Sequence, residues 1–165
     1  MDIVTEIVGT LSTLRSQISQ TDALILTSEE RLSPHRVGCT VGDRTVRISL
    51  PRSAELFDGD VLAIDGDVAI VVEAAPEDLF ILSPTDKLTW GVVGFQLGNL
   101  HRPVRFTETS ILTPADPVVA ELLERIGIAF EQRMTPFIGQ RYGSQASSHT
   151  HGHTHGHTHT HAHVH

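Results

Sequence analysis

The sequence predicts an α+β chain made of two unlike domains followed by a polar tail, and three observations carry that expectation. Short β-branched runs broken by Asp-Gly turns fill residues 1 to 75. A strand-helix-strand-helix-strand pattern fills 76 to 143. From residue 144 onward there is almost nothing apolar to bury. In the first part, Ala23 to Leu26, Thr45 to Leu50, Val61 to Ile64 and Val68 to Val72 read as strands, separated by Gly42-Asp43, Asp58-Gly59-Asp60 and Asp65-Gly66-Asp67. Asp65-Gly66 between two such runs signals a hairpin. The repeated acids there lack the later glycine and terminal Glu of an EF-hand, so they are read as turn chemistry. Residues 1 to 75 are therefore expected to form a small mainly-β domain, with Thr5 to Gln20 unassigned.

After Ala74-Ala75-Pro76 the texture changes. Asp78 to Leu82 reads as a strand. Ser83 is the expected N-cap and Pro84 the first residue of a helix that runs toward Leu97 and stops at Gly98, with Gly91 and Gly94 inside it for close packing. Val104 to Thr109 alternates as a strand, and one further strand near 103 to 112 has to be placed. Asp116-Pro117 repeats the pairing of cap and first-turn proline, with Val118, Val119, Leu122, Leu123 and Ile126 at helical spacing before Gly127. Ile128 to Phe130 resumes a strand. That order is the βαββαβ of a ferredoxin-like α+β sandwich.

The tail, residues 144 to 165, is the most unusual composition in the chain. Of the protein's 11 histidines, all but His35 and His101 lie in it: His149, His151, His153, His155, His157, His159, His161, His163 and His165. With only Ala162 and Val164 as apolar residues after His149, it is expected to be disordered without metal. Neutral imidazole is a common ligand of late first-row divalent metals, and alternate residues of an extended chain lie about 7 Å apart on one side. At three or four imidazoles per ion, the tract could hold roughly two or three ions, more weakly as pH drops through about 6.5. A purification tag remains an alternative, although tags are usually uninterrupted runs. Ligand type alone leaves Ni(II), Zn(II) and Cu(II) all open.

Composition excludes several classes. A formal charge of −8 argues against a nucleic-acid partner, and no segment resembles a membrane span or a signal peptide, so the cytoplasm is the expected compartment. The single cysteine, Cys39, permits no intrachain disulfide and reads as a small buried hydrophobe; His35 reads as a solvated loop residue. No phosphate loop, nucleophile elbow or HExxH pair is present, so the chain is not expected to be an enzyme. His101 follows the Gly98-Asn99 helix stop, where a short loop would present its ring outward. Alone, such a histidine is more often a surface or structural residue than a ligand.

The stretch Gly94-Phe95-Gln96-Leu97-Gly98-Asn99-Leu100-His101-Arg102-Pro103, with Asp116-Pro117-Val118, Leu122-Leu123, Gly127, Pro136-Phe137 and Tyr142-Gly143 before the histidine tract, resembles the UreE family of urease accessory proteins and nickel metallochaperones. Leu50-Pro51-Arg52 and Leu56 to Leu62 are similar to that family's N-terminal domain. The resemblance implies a homodimer paired through its C-terminal domains. His101 and its twofold mate would hold one nickel, with tail histidines completing the shell. It also implies delivery of that nickel to the urease accessory GTPase and the complex that activates apo-urease, with an N-terminal domain that contacts partners. The residues flanking Asp116 are Ala115 and Pro117, where some relatives carry histidines, so Asp116 reads as a helix cap and not a ligand. Passive storage of Ni or Zn by the tail is the competing reading.

Overall fold

The computed structural model describes residues 2–139. Eleven strands and four helices follow one another among them. β1 (Asp2–Val4), β2 (Gly9–Thr10), α1 (Leu11–Leu14), β3 (Gln20–Leu26), α2 (Ser28–Leu32), β4 (His35–Cys39), β5 (Thr45–Ser49), β6 (Asp60–Asp65) and β7 (Val68–Ala74) come first. β8 (Pro76–Leu82), α3 (Lys87–Asn99), β9 (Arg105–Phe106), β10 (Ile111–Pro114), α4 (Pro117–Arg125) and β11 (Glu131–Pro136) complete the chain.

The first half is built from two sheets with strand orders β1-β5-β4 and β2-β6-β7-β3. Alternate residues of β5, Val46 and Ile48, are buried, and they share a core with Leu24 and Leu26 of β3, Leu62 of β6, and Ile70 and Val72 of β7. That period-two burial is what packs one sheet face on the other. Across the Asp65↔Val68 pair the chain turns through Gly66-Asp67, and Gly66 takes φ 64 at the first central position. This is the glycine placement of a type II′ hairpin, so the Asp-Gly signal read from the sequence is realised. The opposite face of the four-stranded sheet, with Val61, Ala69 and Val71, is covered by Leu11 and Leu14 of α1 and by Ile18.

The second half is a four-stranded antiparallel sheet in the order β11-β8-β10-β9 with two helices, the ferredoxin-like arrangement expected from the element order. Phe80 and Leu82 of β8 and Ile111 of β10 pack with Val93 and Leu97 of α3 and Val119 and Leu123 of α4. Each such buried side chain contributes about 1.5–3 kcal/mol relative to exposure. On the other face, Leu79 and Leu112 are covered by Phe137, just past β11. A single residue, Ala75, separates β7 from β8, and its N–H donates to Leu26 O at 2.8 Å.

Several local expectations shift. The first long helix starts at Lys87 with Asp86 as its cap, whose carboxylate accepts from Thr89 N at 2.9 Å and from the Thr89 hydroxyl; Ser83 and Pro84 lie outside it. Those bonds hold the Asp86 carboxyl below the usual range. The run from 104 to 109 divides into β9 and a turn in which Thr107 Oγ1 accepts from Ser110 N, and β10 supplies the strand left to place. Ile128 to Phe130 is not strand: Ile128 and Phe130 pack on the helical core, and pairing begins at Glu131. α4 stands as expected, Asp116 Oδ1 accepting from Val118 N at 2.8 Å and Val119 N at 3.3 Å.

Candidate metal centre

α3 ends in a complete Schellman motif. Leu100 is the cap, His101 N donates to Gly98 O at 2.9 Å, and Arg102 N donates to Leu97 O at 3.3 Å, with His101 itself at φ 54. α4 ends in the same way: Gly127 N donates to Glu124 O, Ile128 N donates to Leu123 O, and the left-handed position belongs to Gly127 at φ 70. The fold therefore makes one turn twice, with glycine in one copy and histidine in the other. An L-residue held left-handed costs about 1–2 kcal/mol, a cost glycine escapes. A strained imidazole at an exposed helix end is the kind of outlier from which function can be argued.

The turn is fastened on both sides. Arg102 Nη2 donates to Asp116 Oδ2 at 2.9 Å, so Asp116 caps α4 with one oxygen and ties down the residue after His101 with the other. Pro103 O accepts from the hydroxyl of fully buried Thr113 at 3.0 Å. The backbone under the imidazole is fixed while the side chain stays exposed. Reading the sequence caught the outward presentation of His101 but not the left-handed turn, because the residue in that position is not glycine.

Among the described residues no three His, Cys, Asp or Glu side chains converge to hold an ion. His35 opens β4 instead of lying in a loop; it is exposed, with Nδ1 3.5 Å from Ser49 Oγ. Cys39 is exposed, not buried, because it shares with His35 and Val37 the outward face of β4, opposite exposed Thr45 of β5. Its thiol donates to Asp43 Oδ1 at 3.4 Å, and that bond pushes the thiol pKa up, which disfavours the thiolate a metal needs. The nine histidines from His149 to His165 lie outside the described residues.

One surface feature accompanies His101. α3 buries Val93 and Leu97 but exposes Leu88 (77%), Val92 and Phe95 (66%), a second apolar stripe at i, i+4, i+7. Gly91 and Gly98 have nothing within 4 Å of an added Cβ, and at Gly94 the nearest atom, Phe106 Cζ, is at 3.6 Å, an ordinary contact. The close packing expected of the α3 glycines is therefore not made among the described residues. Among the described residues no helix is long and apolar enough to cross a membrane.

Comparison with known proteins gives a consistent result over both halves. Residues 4–75 match the family model described as UreE urease accessory protein, N-terminal domain, and residues 77–165 match the one for the C-terminal domain. The urease accessory protein UreE of Geobacillus kaustophilus is 33% identical over 130 residues, covering 79% of this chain and 88% of that protein. Its counterpart in Burkholderia lata is 32% identical over 122 residues, 74% of this chain but 59% of the longer relative. That of Bacillus sp. strain TB-90 is 28% identical over 128 residues, 78% and 86% of the two chains.

Proposed function

Because this chain belongs to the UreE urease accessory protein family, we propose that it serves urease maturation as a homodimeric nickel chaperone, nickel being its cargo. The observation that carries the reading is the exposed imidazole of His101 on a left-handed, clamped backbone turn. One imidazole is a poor site, and a twofold axis supplies a second without further sequence. Imidazole nitrogen suits Ni(II) as a borderline ligand.

The second stripe on α3 supports the dimer. Leu88, Val92 and Phe95 flank Gly91, and two or more glycines in a helix cost about 1 kcal/mol each against alanine. With no neighbour among the described residues that needs their small size, their use lies in close approach by another helix, and an identical α3 meets that need symmetrically. Pairing there would hold the two C-terminal domains, residues 76 to 143, together and leave the domain of residues 1 to 75 free for partners, the urease GTPase and apo-urease complex. The His149 to His165 tract, on a tail of twenty-two residues with an r.m.s. reach of about 25 Å, would complete the shell and pass nickel on by ligand exchange. Chemistry is left to partners, so the chain works as a carrier in the cytoplasm and not as an enzyme.

Titration calorimetry with metal quantification on the full chain, a truncation after Gly143 and His101→Ala tests this. The chaperone reading expects one tight ion per dimer that survives truncation and vanishes with His101→Ala. If truncation removes nearly all binding and His101→Ala removes none, the chain is a buffer and the proposal fails.

A further inference from the structure

Arg31, in α2, is 2% exposed and among the largest fully buried side chains. Its Nη2 donates to Phe137 O at 2.8 Å, while its Nε meets no acceptor. Among the described residues no carboxylate lies within ion-pair distance of it. The nearby acids are engaged elsewhere. Glu55 pairs with Arg105, Glu77 accepts from Ser28 N and Oγ, and Asp58 accepts from Ala74 N. Burial pushes the Arg31 pKa down, yet a guanidinium keeps its proton at neutral pH. A buried cation without a contacting counter-ion is costly, and buried arginines are normally paired.

This guanidinium borders a cavity of about 350 Å³ where the two halves of the chain meet. Thr10, Ser12 and Asp58 line it from the first domain, Arg105 and Gly139 from the second. Two arginines and two hydroxyls are the donor set that oxyanions select. We propose that the cavity is a binding site for a small oxyanion, a phosphate or a carboxylate, which would serve as the counter-ion of the Arg31 guanidinium and bridge the two domains. The surrounding acids limit the charge accepted, so a monoanion or dianion suits the site better than a polyanion. His101 is not among the residues that line the site, which does not depend on the nickel reading.

The test uses the full chain, stripped of metal by chelation, at about pH 8, where imidazoles are neutral. Inorganic phosphate and succinate are titrated against chloride at matched ionic strength, followed by amide NMR shifts and by thermal unfolding. The expected result is a saturable shift at Gly59, Gly139 and Arg31 and a rise in Tm with at least one of the two anions. Response to phosphate alone assigns a phosphoryl source, and response to succinate assigns a carboxylate. Arg31→Met should fold, since an apolar isostere of a buried ion is often tolerated, and should weaken binding at least about tenfold. Arg31→Lys, with the charge but not the fork, should fall between and serves if the Met variant does not fold. No saturable response in the unsubstituted chain, or equal responses with and without Arg31, overturns the proposal.

Discussion

Replacing His101 by glycine should make the protein more stable while removing the proposed shared metal site. The turn after α3 holds His101 at φ 54, and the twin turn after α4 holds Gly127 at φ 70 with the same hydrogen bonds. Relief of the left-handed conformation is worth about 1–2 kcal/mol. The freer unfolded chain takes back about 0.5–1 kcal/mol, so the net gain is roughly 0.5–1 kcal/mol, or about 1–4 °C in Tm for a chain of this size. His101→Ala is the control, because alanine keeps the strain and loses the ring; it should lie within about 0.5 kcal/mol of the unsubstituted chain. Thermal and urea unfolding in chelator isolate this effect, since any bound metal stabilises the native state by mass action. Should both variants lose more than about 1 kcal/mol, the imidazole is a structural group and the strain argument is wrong. Should His101→Gly keep a tight shared ion, the assignment of the ligand is wrong.

Four further outcomes are expected. Phe95→Glu puts charge in the exposed stripe of α3 and should convert the proposed dimer to monomer by sedimentation, with loss of the proposed shared ion; a dimer that persists would place the interface elsewhere. Asp116→Ala removes the α4 cap and the tie to Arg102 and should cost about 1–2 kcal/mol without changing the number of ions bound, whereas Asp116→Asn should cost less. Cys39, whose thiol is held protonated by Asp43, should be alkylated slowly for an exposed cysteine, and Asp43→Asn, which tolerates the local φ of 63, should speed the reaction. The Glu30 carboxyl sits below its ordinary range, chiefly through the bond from Arg36 Nη2 at 2.6 Å and also through Thr27 N. A depressed folded value means its stabilisation is present above the ordinary Glu range and is lost as pH falls through the folded value. Glu30→Gln should then cost at most about 1 kcal/mol near neutrality, the group being part exposed, and the difference should vanish in acid.

What could be read from the sequence follows the strength of local periodicity. β5 through β7 alternate or run continuously apolar between Asp-Gly turns, and α4 carries a cap, a first-turn proline and a closing glycine, so their placement needed no tertiary information. The start of α3 was ambiguous because Ser83-Pro84 and Asp86 are competing caps, and the one that bonds Thr89 wins. β1, β2 and α1 are too short to leave a pattern; pairing of β1 with β5 and β2 with β6, distant in the chain, holds the two strands. α2 was legible in principle, since Thr27-x-x-Glu30 is a capping box in which both reciprocal bonds form. For the site, His101 and the tract were conspicuous by residue type. The turn that strains His101 and the burial of Arg31 were not, since one depends on which residue occupies a left-handed position and the other on a junction between halves of the chain.

The one-residue splice at Ala75 has a mechanical consequence. β8 is an inner strand of its sheet, clamped between β10 and β11, and it continues almost directly from β7, an inner strand of the sheet before it. A pull applied to the first domain by a docked protein would pass as tension along the backbone into the middle of the second, without slack to absorb it. The two halves could then reorient about Ala75 only by giving up its bond to Leu26 O together with the bonds that Arg31 makes to Phe137 O, Glu55 to Arg105 and Ser28 to Glu77.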